Sequence, residues 1–102
     1  MDRFSEIREK VLPLLEPYGV LRLGVFGSYA RGDYGPKSDI DLLVRFEEPR
    51  RKPFTLLDWV RLEREMRHIL GRKVELIPEE GLKRHVRPYV EEDLVVLYEK
   101  AA

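Results

Sequence analysis

GSYARGDYGPKSDIDLLV, residues Gly27 to Val44, sets two aspartates, Asp39 and Asp41, at the head of a run that is otherwise apolar. Side chains alternate with a period of two along a strand, so a strand from about Asp39 to Phe46 points both carboxylates to one side and Ile40, Leu42 and Val44 to the other. Two like charges on neighbouring same-face positions repel. They are tolerable if one is protonated, if both reach water, or if they hold a cation between them. Just upstream, Gly27 and Ser28 follow LRLGVF (Leu21 to Phe26), a short strand, at the place where a strand commonly turns into a helix. Glycine lets a phosphate approach the backbone, and Ser28 offers a hydroxyl and an amide at a helix start. Mg²⁺ prefers hard oxygen ligands and commonly combines one or two carboxylates with substrate phosphates, so a phosphate turn beside an acidic pair forms a coherent site. Arg31 and Lys37 are candidates to neutralise phosphates or to form exposed salt bridges, and Ser38 is a candidate cap at the start of the second strand.

On either side of this stretch the periodicity alternates. Phe4, Ile7, Val11, Leu14 and Leu15 share one helical face, with a kink or break expected at Pro13, and PYG closes the segment. After the charged stretch Glu47 to Lys52, which reads as an exposed loop, Thr55 caps a longer helix, with Asp58 in its first turn and Gly71 at its end. Leu56, Trp59, Leu62, Met66, Ile69 and Leu70 supply that helix with an apolar face. KVELI, Lys73 to Ile77, is a third strand in which Glu75 is the lone acidic residue, opposite Val74 and Leu76. Leu82, Val86, Tyr89 and Val90 mark another helical face interrupted by Pro88, and LVVLY, Leu94 to Tyr98, is a fourth strand. This order predicts an α/β (α+β) fold, a small mixed β-sheet with flanking helices.

The 102 residues suit one domain, 1–102, burying roughly 60 to 65% of its extended surface. Nineteen Lys plus Arg against nineteen Asp plus Glu give no global positive field, so no general nucleic-acid binding is indicated. The absence of cysteine removes disulfides, thiolate metal sites and cysteine nucleophiles. No signal-peptide pattern or membrane-length apolar run is present in the sequence, and a cytoplasmic location is the expectation. His68 and His85 lack metal-ligand spacing and read as surface or packing residues; Trp59 and Tyr89 read as core.

The combination Gly27, Ser28, Ala30, Arg31, Gly32, then Ser38, Asp39, Asp41 and Leu42, resembles the signature of the DNA polymerase beta superfamily of nucleotidyltransferases, and specifically its minimal nucleotidyltransferase (MNT) family. ILGRKVELI and VEEDLVVLYE resemble that family's third carboxylate strand and closing segment. The resemblance implies ATP or another nucleoside triphosphate as substrate, Mg²⁺ with two ions in the site, and transfer of a nucleoside monophosphate, AMP from ATP, with release of pyrophosphate. It implies that Gly27 and Ser28 hold the distal phosphates, that Asp39 and Asp41 ligate metal, and that Glu75 is the third catalytic carboxylate. Many relatives have aspartate at the Glu75 position and arginine at the Tyr29 position. The family also implies a separate helical HEPN-type partner, in some cases the toxin of a toxin-antitoxin pair, and Glu47 to Phe54 with Arg61, Arg64 and Arg67 could meet it. Three classes stay open on the sequence: an active transferase, a catalytically weak nucleotide-binding or antitoxin-like regulatory subunit, and an interaction module; homo- or hetero-oligomers are open as well.

Overall fold

The computed structural model describes residues 2–36, 38–49 and 52–101. Helix α1 (Arg3–Leu15) starts at Asp2, whose carboxylate accepts a hydrogen bond from the Ser5 amide at 2.8 Å. Pro13 lies inside α1 without ending it. Two residues from the helix end and exposed, it withholds one hydrogen bond from a carbonyl that water can reach, so the expected break does not occur. A short 3₁₀ turn (Glu16–Tyr18) leads to β1 (Val20–Phe26), and α2 (Gly27–Arg31) follows directly. Then come β2 (Ile40–Phe46), α3 (Leu56–Leu70), β3 (Val74–Pro78), a second 3₁₀ turn (Glu79–Gly81), α4 (Arg87–Asp93) and β4 (Val95–Glu99).

The strands form one sheet in the order β3-β2-β1-β4, with β2 and β3 parallel and the other neighbours antiparallel. One face is apolar because the strands alternate. Leu23 and Val25, Leu42 and Val44, Val74 and Leu76 are buried there with Ile7, Val11 and Leu15 of α1 and Leu62 and Met66 of α3. Each such side chain is worth roughly 1.5 to 3 kcal/mol against exposure. The other face carries Asp41, Leu43 and Arg45 of β2, and α4 packs across β1. Gly24 lets Leu94 approach there, since a Cβ would fall 2.6 Å from Leu94 Cδ1. Glu79, only 6% exposed, lies between Arg22 at 3.4 Å and Arg45 at 3.8 Å, two cross-strand partners whose like charges it separates.

Several expectations are corrected by packing. Asp39 precedes β2, which begins at Ile40. Leu56, given to the apolar face of α3, is 81% exposed, because the helix turns its first residues outward and uses Leu62 and Met66 as its buried contacts. The last helix starts at Arg87, with Pro88 in its first turn, where the missing N–H costs no hydrogen bond. Leu82 and Val86 therefore fall outside it, and Tyr89 is exposed while its neighbour Val90 is the buried residue. His68 and His85 are exposed, and Trp59 packs half-buried against the core. Among the described residues, no helix is long and apolar enough to cross a membrane.

Candidate active site

The site forms where the apolar alternation of three neighbouring segments admits charge at the same end of the sheet. Asp41 pairs with Phe26 across β1 and with Glu75 across β3, so the first turn of α2, the head of β2 and the head of β3 meet around one carboxylate. Gly27 is required twice over. Its φ of +78° lies in the left-handed region, and a Cβ would stand 2.6 Å from Asp41 Oδ2. The turn after β1 is thus pressed onto the acidic group, and no side-chain cap occupies the start of α2. The backbone N–H groups of its first turn have no partners within the helix. Ser28, half-buried, follows Gly27 there.

The Asp41 carboxyl is pushed up from 3.8 to about 6, first by burial, then by the charges of Glu75 and Asp39, with a hydrogen bond to Glu75 acting in the same direction. Burial and neighbouring carboxylates both disfavour the charged form of the group. Glu75 is exposed between buried Val74 and Leu76, as its strand position predicts. Among the described residues, no three His, Cys, Asp or Glu side chains are grouped closely enough to hold a metal ion between them. Asp41 and Glu75 meet, and Asp39, at the end of the loop entering β2, is near enough for its field to be felt. Hard carboxylate oxygens beside a glycine turn suit Mg²⁺, and a divalent cation would offset what burial and like charge cost the Asp41 carboxylate.

The other sequence candidates have different surroundings. Arg31, at the C-terminal end of α2, donates to Asp93 at 2.7 Å and to Asp33 at 3.2 Å, which ties α2 to α4 and fulfils the salt-bridge alternative. Ser38 turns its hydroxyl back into the loop, accepting from the Gly35 amide at 2.8 Å. Lys37 lies outside the described residues. Tyr29 is buried, with its ring 4.5 Å from that of Tyr34 and cations from Arg3 and Arg72 at 5.5 and 5.3 Å. Arg3 and Arg72 had no sequence signal, because each is one arginine among many until the fold brings it to a tyrosine.

A family model for the nucleotidyltransferase domain matches residues 5–99. The chain belongs to the minimal nucleotidyltransferases of the DNA polymerase beta superfamily. This minimal nucleotidyltransferase is 39% identical over 82 residues to the protein adenylyltransferase MntA of Thermococcus cleftensis, covering 80% of this chain and 79% of the relative. Over 102 residues it is 36% identical to MJ1217 of Methanocaldococcus jannaschii, assigned as a protein adenylyltransferase, covering 95% of this chain and all of the relative. A solved structure assigned as a minimal nucleotidyltransferase is 41% identical, with a TM-score of 0.72 and coverage of 93% and 95%. A toxin-antitoxin crystal structure with AMP-PNP has a TM-score of 0.75 at 20% identity, covering 91% of this chain and 73% of its own, and shares the fold. The minimal nucleotidyltransferase is an enzyme of nucleotidyl transfer, and its chemistry depends on a nucleotide.

Proposed function

We propose that the chain transfers AMP from ATP to a hydroxyl on a partner protein, with Asp39, Asp41 and Glu75 as the catalytic and metal-holding carboxylates. The observation that carries this reading is the meeting of Asp41 with Glu75 beside Gly27, where the Asp41 carboxyl is raised to about 6 first by burial and then by its acidic neighbours. The relatives named as protein adenylyltransferases support ATP and a protein acceptor. The toxin-antitoxin structure that shares the fold supports a protein partner, and the family resemblance makes a helical HEPN-type protein the candidate.

The three carboxylates would hold Mg²⁺, two ions in the complete site. When bound, Mg²⁺ lowers the pKa of an acceptor hydroxyl and stabilises charge on the leaving pyrophosphate. The chain's own residues do the rest. Gly27 permits close approach of the distal phosphates, and Ser28 contributes its hydroxyl and the amides that follow. Glu75, on the strand beside Asp41 and open to solvent, takes the proton from the acceptor oxygen as that oxygen bonds to the α-phosphorus and pyrophosphate departs. Arg31 would reach the phosphates only by leaving Asp93 and Asp33, so its part in the reaction is to fix α2.

The test incubates the protein with ATP labelled at the α-phosphate and Mg²⁺, with and without the product of the neighbouring gene. Label on the partner, lost when Asp39 and Asp41 are both changed to Asn, is the expected result. Triphosphate binding without transfer under any partner and metal combination would overturn transfer and favour the regulatory-subunit reading.

A further inference from the structure

The segment between α2 and β2 delivers Asp39 to the site, and it is held from outside by an arginine that belongs to neither element. Gly71 ends α3 in the left-handed conformation, at φ +71°, and the next residue, Arg72, is turned toward this segment. Its Nη1 donates to the Gly35 carbonyl at 2.8 Å and to the Ser38 carbonyl at 3.2 Å. The same guanidinium lies 5.1 Å from the Tyr34 ring centroid and 5.3 Å from that of Tyr29. Arg3 of α1 also lies 5.3 and 5.5 Å from those two rings and donates to the Tyr29 carbonyl at 3.3 Å. Two tyrosines, their rings tilted at 44° to one another, are therefore flanked by two cations, one from the start of α1 and one just past the end of α3, and the carbonyl immediately before Asp39 is one of the groups grasped. The Ser38 hydroxyl and amide, bonded to Gly35, close the same turn from inside.

We infer that Arg72 is a positioning residue: through the Gly35 and Ser38 carbonyls and the Tyr29–Tyr34 pair it locks the loop so that Asp39 is presented to Asp41 and Glu75. This deepens the reading above and rests on it only for the use of Asp39. A planar guanidinium is needed because it must donate within the loop and stack on aromatic rings at once, which an ammonium on a flexible stem cannot reproduce. Preorganising Asp39 in this way removes the need to order the loop when a cation arrives. Tyr29 then serves as the buried platform for cations supplied by Arg3 and Arg72.

The inference is tested on the whole chain with Arg72→Ala and Arg72→Lys, by amide hydrogen exchange and by Mn²⁺ binding followed by electron paramagnetic resonance without nucleotide. In Arg72→Ala, exchange at the Ser38 and Ile40 amides, which donate to Gly35 and Lys73 carbonyls, should rise about tenfold while the Val25 amide in β1 is unchanged. Mn²⁺ affinity should fall about tenfold, and Arg72→Lys should recover only part of both losses. Exchange at the parent rate in Arg72→Ala would overturn the assignment. An equal rise at Val25 would overturn it too, since Arg72 would then support the fold at large. A selective rise in loop exchange in Arg72→Ala, with a parent that binds no Mn²⁺, would uphold the lock and remove the metal reading instead.

Discussion

At the scale of single residues, the site stores its instability in Asp41. Its carboxyl has a folded-state value of about 6 against 3.8 as a free group, from burial and the charges of Glu75 and Asp39. Between those values the folded protein binds more protons at this position than the unfolded chain, so stability falls as pH rises from about 4 to 6 and the penalty is fully present above. Asp41→Asn should flatten that part of the pH profile and raise the melting temperature of the ligand-free protein at pH 8. Thermal melts of both proteins from pH 4 to 8 measure this, and parallel profiles would show that Asp41 is not the strained group. Glu75, beside it, is assigned the proton transfer. Glu75→Gln should therefore keep triphosphate affinity within a few-fold and slow single-turnover transfer at least 100-fold, with Glu75→Asp retaining more activity. A rapid-quench time course at saturating ATP checks it, and equal rates in Gln and parent would remove Glu75 from the chemistry. Both acidic positions were legible in the sequence because a charged residue in an apolar alternation must face something polar. The tyrosine at 29 was not legible, because whether a ring points at substrate or into the protein depends on who stacks against it.

At the scale of elements, local signals worked where the chain's own hydrogen bonds decide the outcome. Thr55 caps α3 as its sequence position predicts, accepting from the Asp58 amide at 3.2 Å, and Asp58 accepts in return from the Thr55 amide at 3.0 Å, which makes the cap reciprocal. Backbone bonding also holds Asp58 below the usual carboxylate range, with Arg61 adding to the effect. Thr55→Ala should cost about 1 kcal/mol. For a domain near this size that is roughly 4 to 8 °C in melting temperature. Nucleotide affinity should stay unchanged, because the cap lies at the end of α3 remote from Arg72; calorimetry alongside thermal melting separates the two effects. Other boundaries depended on tertiary contacts and were misread. Pro88 reads as an interruption and sits in the first turn of α4, while Leu56 reads as core and faces water. Glu63 gave no signal of its role either: it accepts from the Leu76 amide at 2.7 Å and so caps one backbone donor of the edge strand β3.

At the scale of the whole molecule, the order β3-β2-β1-β4 sets β3 beside β2 and brings Glu75 to Asp41, although 34 positions separate them in the chain. That neighbourhood was legible only through the motif and its family resemblance, since periodicity assigns faces to strands but not their order. Glu79, buried between Arg22 and Arg45, had no sequence signal at all, because only the sheet makes those two arginines neighbours. The same convergence of charge makes stability and ligand binding opposing demands on one fold. Folding brings carboxylates together at a cost, and a ligand that binds only their folded arrangement returns that cost as added stability. At a hundredfold excess over its dissociation constant, Mg²⁺ with a nonhydrolysable ATP analogue should add about 2.7 kcal/mol. That corresponds to roughly 10 to 20 °C in melting temperature. The Asp39→Asn, Asp41→Asn double variant should show the reverse pattern, melting above the parent without ligand and failing to respond to it, so that the two melting curves change order when ligand is added. Scanning calorimetry of both proteins, with and without the magnesium-analogue mixture, reads all four states. A double variant that melts below the ligand-free parent would mean that these carboxylates stabilise the fold, and a variant that shifts as far as the parent would move the triphosphate site away from them.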